Sequence, residues 1–355
     1  MIPPHVLPTR ARKVGVEALA DYAERIDTRS PAEFADDHIP GAINCPVLDD
    51  EKRAVIGTMH AQVSAFTARR VGAALVARNI AQMLETTFAD KPREWAPLVY
   101  CWRGGQRSSS LTHVLAEIGW HAVQLDGGYR AYRRHVIARL EAIPPTLGFR
   151  VVCGLTGSGK SRLLSALAAE GAQVLDLETL ARHRGSMLGD LPGDPQPSQR
   201  WFESQLWAVL ETLDPARPVY VESESRRIGT VQLPDALLYA MRSAPCVVVE
   251  TPTPLRVELL KEDYIHFLDD ADSLNMRLSG LLQLHGRKVL EQWREAAAAR
   301  EWDALVSDLL ERHYDPMYRR SIGRNYPNVT QARIAVPTGI DEASLRTLAR
   351  WIETA

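Results

Sequence analysis

Short apolar runs alternate along the chain with longer stretches in which apolar residues recur at helical spacing. The runs that predict β-strands are 25–28, 98–100, 122–125, 149–153, 173–177, 218–221, 246–249 and 333–336. This alternation is typical of α/β proteins, in which helices cover both faces of a parallel sheet. Beyond residue 255 helical spacing dominates, so we expect a helical C-terminal portion.

Several stretches have the spacing of amphipathic helices. They are 16–24, 108–118, 255–261, 273–284, 288–299, 302–310 and 342–353, with an inserted pair of helices across 61–87. The polar stretch 51–58, which contains a glycine, precedes that pair. A proline- and glycine-containing segment at 143–148 predicts a linker. We therefore expect a first domain over 1–142 and a second over 149–355.

Composition narrows the class of protein. The chain has 355 residues, of which 45% are hydrophobic, and this is enough for two packed domains. A formal net charge of -2 gives no global basic field, so any RNA contact must come from a local patch. The four cysteines lie far apart without metal-ligand spacing, which indicates a reducing compartment. We expect a cytoplasmic protein, because 1–13 lacks an apolar targeting region and no membrane-length apolar run occurs.

One cysteine stands at a special place in this pattern. Cys101 follows the strand at 98–100 and precedes a glycine turn and a helix. Backbone amides and the helix dipole favour an anion at such a position, and so a thiolate or a persulfide. The predicted active-site loop consists of Arg103, Gly104, Gly105, Gln106 and Arg107. The alternative is an inert buried cysteine, which has no need of this loop.

Two chemistries fit the loop around Cys101. A cysteine followed after five residues by Arg107 is the spacing of a phosphate cradle in cysteine phosphatases. The same loop suits a thiolate that carries sulfur or selenium.

A second motif follows the linker. Residues 154–161 read GLTGSGKS between a predicted strand and a predicted helix, a full match to a phosphate-binding P-loop. The predicted phosphate-binding residues are Gly154, Thr156, Gly157, Ser158, Gly159, Lys160 and Ser161. The glycines let backbone amides face a phosphate, Lys160 supplies charge, and Ser161 is a candidate Mg²⁺ ligand.

The residues that complete this phosphate site are less well defined. Candidates for its acid, or for contacts with diphosphate or RNA, are Asp176, Arg184, Glu222, Glu224, Arg226 and Arg227. Neither acidic strand has the usual form of a nucleotide hydrolase, so support for hydrolysis is thin. The basic and aromatic segment 314–324 fits RNA contact and an ordinary charged helix end equally well.

The first domain resembles rhodanese-type sulfurtransferases. A predicted strand ends in Asp27-Thr-Arg29, His38 to Asn44 read HIPGAIN, and a Gly-Gly turn precedes a basic helix after the cysteine. The resemblance implies a rhodanese-like parallel sheet domain followed by a P-loop NTPase-like α/β domain. It also implies scaffold roles for Asp27, Arg29 and His38.

Nearly the whole chain resembles the tRNA 2-selenouridine synthase family. The stretches that carry this resemblance are CWRGGQRS, GLTGSGKS, LDLETLARHRGS and VESESRRIG. It implies a tRNA-modifying transferase that replaces the sulfur of wobble 2-thiouridine with selenium from selenophosphate. An S-geranyl intermediate made from geranyl diphosphate is implied too. Cys101 matches the family's essential cysteine, and no tightly bound cofactor is implied.

The residues suggest how such chemistry works. Lys160, the loop amides and Mg²⁺ on Ser161 would neutralise a leaving diphosphate, and Cys101 would carry the chalcogen. A geranyl chain needs an apolar groove, for which Trp201, Phe202 and Trp207 are candidates, although a core role is the stronger expectation for them.

Two other functions stay open at this stage. One is a cysteine-dependent sulfurtransferase or phosphatase fused to a small-molecule kinase-like domain. The other is a regulatory module whose P-loop only senses a nucleotide.

Overall fold

The chain folds into two compact α/β units in the computed structural model, which describes residues 12–354. The first unit runs to Arg139 and also includes Glu203–Ala208, whereas the second contains Leu140–Phe202 and the chain from Val209 onward. The predicted linker segment forms a 3-10 helix, Pro144–Thr146, before the next strand. We expected no targeting region in residues 1–13. Of these, residues 1–11 lie outside the part of the chain that the structure describes.

The first unit is built on a five-stranded parallel sheet. Its strands are β1 (Lys13–Val14), β2 (Arg25–Asp27), β3 (Ala42–Asn44), β4 (Leu98–Tyr100) and β5 (Val123–Leu125). The strand order is β1-β5-β4-β2-β3, so β4 lies at the centre and is buried along its whole length. Because parallel strands end at one edge of the sheet, the residue after β4 emerges where ligands usually bind.

Helices pack around this sheet. They are the 3-10 helix Val16–Asp21, α1 (Pro31–Asp36), α2 (Asp50–Gln62), α3 (Ala65–Glu85), α4 (Gln106–Ile118) and α5 (Gly128–Ala142). The inserted pair is present, but its first helix is α2, which covers the polar stretch placed before the pair. The Asp49 side chain caps α2 by accepting the Lys52 amide. No residue of α2 is buried, so apolar spacing could not mark it.

The second unit has its own five-stranded parallel sheet. The strands here are β6 (Gly148–Cys153), β7 (Gln173–Leu175), β8 (Pro218–Glu222), β9 (Arg227–Ile228), β10 (Val231–Gln232), β11 (Cys246–Val249) and β12 (Arg333–Ala335). The order is β12-β11-β6-β8-β7, while β9 and β10 form a separate antiparallel hairpin. Strand β7 ends before Asp176, so that residue is not in a strand as predicted but caps the next helix.

The helices of the second unit increase in number toward the C-terminus. They are α6 (Lys160–Ala169), α7 (Leu177–Ala181), α8 (Gln199–Leu210), α9 (Asp235–Ser243), α10 (Thr253–Asp263), α11 (Ile265–Asp269), α12 (Ala271–Leu278), α13 (Leu282–Ala298), α14 (Trp302–Leu309), α15 (Asp315–Asn325) and α16 (Glu342–Glu353). Short 3-10 helices cover Ser279–Leu281 and Pro327–Gln331, and a π-helical turn covers Leu310–Tyr314.

The helical C-terminal portion is therefore present, but its first long helix is divided. The stretch predicted as one helix, 273–284, is broken between α12 and α13, and Gly286 adds a kink with φ of +78°. Within residues 12–354, every helix is too short or too polar to cross a lipid bilayer.

Candidate functional site

The Cys101 sulfur receives two hydrogen bonds. It lies directly after β4 and is 3% exposed. The Gly105 amide donates to Sγ at 3.3 Å, and the Ser108 hydroxyl donates to it at 3.1 Å. No side chain caps α4, whose positive end begins next to the sulfur. This arrangement places two hydrogen-bond donors and the start of a helix at the Cys101 sulfur.

Two glycine turns meet at this loop. Gly104 has φ of +63°, and a Cβ added to it would lie 2.7 Å from the Leu125 carbonyl oxygen. A Cβ on Gly128 would lie 2.2 Å from the carbonyl oxygen of Cys101. The close backbone approach therefore requires glycine at both places.

A buried glutamine holds the loop from the neighbouring strand. The Gln124 side-chain amide donates to the Gly104 carbonyl at 2.9 Å and to the Ser108 hydroxyl oxygen at 2.7 Å. Because that oxygen accepts from Gln124, its own hydrogen is directed elsewhere, and the sulfur of Cys101 is within reach. Neither Ser108 nor Gln124 was singled out from the sequence.

The two predicted loop arginines differ in their surroundings. Arg103 is exposed, whereas Arg107 donates to Glu33 at 2.8 Å. Burial of Glu33 works against its ionisation, but the hydrogen bond and charge of Arg107 prevail and bring its pKa to about 2. Arg107 is thus engaged by the carboxylate of Glu33.

The residues around this loop act as scaffold. Arg29 is buried and pairs with Asp27 at 2.6 Å, and it also donates to the Asp37 carbonyl. Cys45 is buried as well, and desolvation raises the pKa of its thiol to about 11. A protonated thiol is a poor nucleophile, so Cys45 does not assist Cys101 as a thiolate.

The P-loop connects β6 to α6. Gly157 and Gly159 have φ of +75° and +83°, which a side chain at either position would strain. The Lys160 ammonium donates to the Gly154 carbonyl at 2.8 Å. A phosphate on the loop would have to draw the lysine away from this carbonyl.

A glutamate that the sequence did not single out completes the loop. The Ser161 hydroxyl donates to Glu178 Oε2 at 2.9 Å. Glu222 lies deeper, at 1% exposed, and its Oε1 accepts the Leu177 and Glu178 amides at 2.7 and 2.9 Å. Glu222 therefore fixes the start of α7, and Glu178 is the carboxylate nearest the P-loop serine.

Two carboxylates converge in front of Ser161. A Cβ on Gly185 would lie 3.0 Å from both carboxyl oxygens of Glu224 and 3.3 Å from Glu178 Oε1. Burial, and then the charge of Glu178, raise the pKa of Glu224 to about 8. Burial also raises the pKa values of Glu178 and Glu222. Positive charge near these three carboxyl groups would stabilise their ionised forms.

The oxygen donors here fit Mg²⁺. One hydroxyl from Ser161 and carboxylates from Glu178 and Glu224 are hard ligands of the kind this ion prefers, with phosphate oxygens and water completing its shell. Within residues 12–354, His, Cys, Asp and Glu side chains form no group of three or more placed to hold a metal.

The remaining predicted residues divide into two groups. Asp176 and Arg184 line a crevice of about 590 Å³ over the P-loop, as do Glu178 and Glu224. Asp176 caps α7 by accepting the Thr179 amide at 2.8 Å. Arg226 instead pairs with exposed Asp235 at 2.6 Å, and Arg227 is exposed on β9. Neither of these two arginines lines the crevice.

Helices from the C-terminal portion close one side of the crevice. The Tyr318 hydroxyl accepts the Gly154 amide at 2.8 Å and contacts the Ser223 hydroxyl at 2.8 Å. Arg256 donates to the Thr156 carbonyl at 2.9 Å and pairs with Asp315 at 2.5 Å. The segment considered above for RNA contact thus supplies Tyr318 to the P-loop.

The three aromatic residues considered for an apolar groove do not line the crevice, in keeping with the core role that was the stronger expectation for them. Phe202 is completely buried, and the Trp207 ring lies 5.6 Å from the Tyr132 ring. Trp201 is half-buried on the same helix. Because none of the three tryptophan or phenylalanine side chains lines the crevice over the P-loop, the core interpretation applies to Phe202.

The fold and these two sites define a rhodanese-like domain followed by a P-loop domain in one chain. Residues 16–135 match the rhodanese-like domain family, and residues 147–287 match the family described as the tRNA 2-selenouridine synthase AAA domain. The chain belongs to the tRNA 2-selenouridine synthase family.

Curated relatives with this name support the assignment. The tRNA 2-selenouridine synthase of Aeromonas salmonicida is 33% identical over 85% of this chain and 88% of its own length. The tRNA 2-selenouridine synthase of Bdellovibrio bacteriovorus is 30% identical over 86% of this chain and 90% of its own length. That of Nitrosomonas europaea is 37% identical over 68% of this chain, which corresponds to 63% of the relative.

Proposed function

We propose that this protein replaces the sulfur of wobble 2-thiouridine in tRNA with selenium. In this proposal geranyl diphosphate first alkylates the sulfur, and selenophosphate then supplies the selenium. The observation that most supports this proposal is the presence of two sites in one chain. One is a cysteine sulfur with two hydrogen-bond donors, and the other is a P-loop bordered by buried carboxylates. The relatives that bear the name tRNA 2-selenouridine synthase support it.

The P-loop serves the alkylation step. The thiouridine sulfur attacks C1 of the geranyl group, the C1–O bond breaks, and diphosphate leaves with the electron pair. Lys160 and the loop amides bind the leaving diphosphate once the lysine has left the Gly154 carbonyl. Ser161 and Glu178 would hold Mg²⁺, whose charge would further stabilise the leaving group.

Cys101 serves the selenium step. Its thiolate attacks the phosphorus of selenophosphate, so that an S–P bond forms as the Se–P bond breaks and hydrogen selenide ion leaves. Selenide then attacks C2 of the alkylated uridine, and geranyl thiolate departs with the C2–S electron pair. Water hydrolyses the S–P bond. A carrier with selenium bonded to sulfur would need a reductant to release selenide, whereas this route needs none.

The test separates the two steps. Thiouridine-containing tRNA is incubated with geranyl diphosphate and then with selenophosphate, and its nucleosides are read by mass spectrometry. We expect Lys160→Ala to abolish geranylation and Cys101→Ser to abolish only selenium entry. Lys288→Ala, which removes an exposed lysine from α13, is the control and should behave as wild type. An unchanged nucleoside with the wild-type protein would refute the proposal.

A further inference from the structure

Three exposed arginines lie around the cysteine loop of the first unit. Arg103 belongs to that loop, and Arg130 and Arg134 lie one turn apart on α5, on the same face of the helix. Among residues 12–354, no carboxylate pairs with any of the three, and no acceptor takes a hydrogen bond from their guanidinium groups. Their positive charges therefore remain available to a ligand.

Backbone contacts bring these arginines together around the glycine turn at 127–128. A Cβ on the second glycine would lie 3.0 Å from the Arg103 carbonyl carbon, and one on the first would lie 3.9 Å from Arg134 Nη2. The Arg130 amide donates to the Trp102 carbonyl at 3.1 Å. Residues that are distant in sequence thus form one basic surface next to Cys101.

The acidic residues that contact this loop and turn already have cationic partners. Asp126, which precedes the turn, pairs with Lys13 at 3.1 Å, and Glu33 pairs with Arg107 at 2.8 Å. The surface is therefore positive although the whole chain has a formal net charge of -2. A local patch of this kind is what RNA contact requires in such a chain.

An aromatic ring lies beside the arginines. Trp102 directly follows Cys101 and is half-buried, and its ring lies 5.2 Å from the Tyr129 ring with 27° between their planes. Tyr129 is itself fixed, because its ring contacts the Arg29 guanidinium at 4.0 Å and its hydroxyl donates to Asp37 at 2.7 Å. A supported aromatic ring beside arginines is the combination with which proteins bind unpaired nucleotides.

We propose that Trp102, Arg103, Arg130 and Arg134 bind an unpaired loop of tRNA beside Cys101. The indole stacks on one base, and the arginines contact the phosphates of neighbouring nucleotides. This inference rests on the proposed function and deepens it, because it assigns the loop that carries the wobble nucleotide to a surface of the first unit. It also gives a role to the basic helix that follows the Gly-Gly turn.

The salt dependence of tRNA binding tests the arginines. A tRNA transcript with a wobble uridine is titrated with the full-length protein between about 50 and 200 mM salt. We expect Arg130→Gln and Arg134→Gln each to weaken binding about fivefold near 0.1 M salt. Each should also reduce the slope of log affinity against log salt by about 0.7, because one phosphate contact is lost.

Arg93→Gln is the matched control for these variants. This exposed arginine precedes β4, so it lies at the opposite edge of the sheet from Cys101, and its variant should bind tRNA as wild type does. Slopes equal to that of Arg93→Gln in both α5 variants would overturn the proposal. So would a loss of binding to inorganic phosphate with unchanged tRNA binding, because the arginines would then serve a small anion.

A stem-loop RNA tests the stacking role of Trp102 against a duplex without unpaired bases. We expect Trp102→Ala to weaken stem-loop binding at least about fivefold and to leave duplex binding unchanged, which also reports that the variant is folded. Trp102→Phe keeps an aromatic face and should retain most of the affinity. Equal losses for both RNAs in Trp102→Ala would show that the indole is only a scaffold and would overturn its assignment.

Selenium transfer, measured in parallel, distinguishes failure of this surface from failure of the proposed function. If wild type selenates thiouridine tRNA and the α5 variants bind tRNA as tightly as wild type, the surface is wrong and the function stands. If the variants lose tRNA affinity as expected but wild type leaves the nucleosides unchanged, the surface is supported and the function is wrong.

Discussion

At the scale of single residues, one of the two hydrogen bonds to the Cys101 sulfur comes from a hydroxyl group. Ser108 reaches the sulfur from the first turn of α4, and Gln124 orients it from β5. Hydrogen bonds to a charged acceptor stabilise it by about 1.5–3 kcal/mol. The thiolate of Cys101 should therefore depend strongly on Ser108.

Ser108→Ala tests this dependence. We expect alkylation of Cys101 by iodoacetamide near neutral pH to slow roughly tenfold, because the thiolate is the reacting form. Ser110→Ala is the control, since the Ser110 hydroxyl donates to the Gln106 carbonyl and not to the sulfur. Equal rates in both variants would show that the Ser108 hydroxyl does not stabilise the thiolate.

The raised pKa of Glu224 predicts a pH effect on stability. The folded chain keeps this proton up to about pH 8, whereas an ordinary glutamate releases it near 4.5. The contribution of Glu224 to the free energy of unfolding is complete below its ordinary pKa of 4.5 and is lost as the pH rises through its raised pKa of about 8. The loss is at most about 1.4 kcal/mol per pH unit.

Glu224→Gln should remove this loss. Between about pH 5.5 and 8.5, a window set by that raised pKa, we expect the melting temperature of the variant to rise relative to wild type. The exposed carboxylate of Glu258 provides the control, because Glu258→Gln should leave the pH dependence unchanged. A variant that follows wild type across this range would contradict the raised pKa.

The site residues that the sequence missed share a physical cause. The P-loop glycines, Lys160 and Cys101 belong to local patterns, so spacing alone identifies them. Glu178 reaches Ser161 from the start of another helix, and Gln124 reaches Ser108 from another strand. Their roles arise from folding, which brings distant parts of the chain together, and no local spacing records this.

At the scale of secondary structure, buried strands were the easiest elements to predict. β4, β6 and β11 lie at or beside the sheet centres and read as short apolar runs, as parallel strands do. The helix α16 was found at its observed bounds because one of its faces is buried. The solvent-exposed α2 has no such face. Phe202 on α8 is completely buried, which agrees with the core role that was the stronger expectation for it.

An ion pair between two C-terminal helices is among the contacts that hold the P-loop in place. Arg256 on α10 and Asp315 on α15 have side chains that are 3% and 15% exposed, and Arg256 also donates to the Thr156 carbonyl. Breaking a buried pair leaves an uncompensated charge and costs about 3–5 kcal/mol.

Asp315→Asn should therefore destabilise the second unit and weaken binding of inorganic diphosphate. We expect a loss of about 3 kcal/mol in the free energy of unfolding, measured by denaturant titration. The control is Asp303→Asn, which breaks the ion pair between Asp303 and Lys261. Because the Asp303 side chain is 73% exposed, this change should cost less than about 1 kcal/mol. A similar loss in both variants would mean that the Arg256 pair has no special role.

At the scale of the whole molecule, the order of the rhodanese-like domain and the P-loop domain could be predicted from the sequence. Each domain contains a contiguous motif that identifies it. It did not indicate that Glu203–Ala208, in the middle of α8, would group with the first unit. That grouping depends on packing such as Trp207 against Tyr132, which involves residues far apart in the chain.

This grouping has a consequence for synthesis on the ribosome. Roughly 70 residues separate Arg139, where the first unit's main segment ends, from Ala208, the last residue that it contains. At about 5–20 residues per second, translation needs about 3–14 s to make that stretch. During that interval β6, the P-loop and β7 are made before the segment of α8 that packs with Tyr132 of the first unit becomes available.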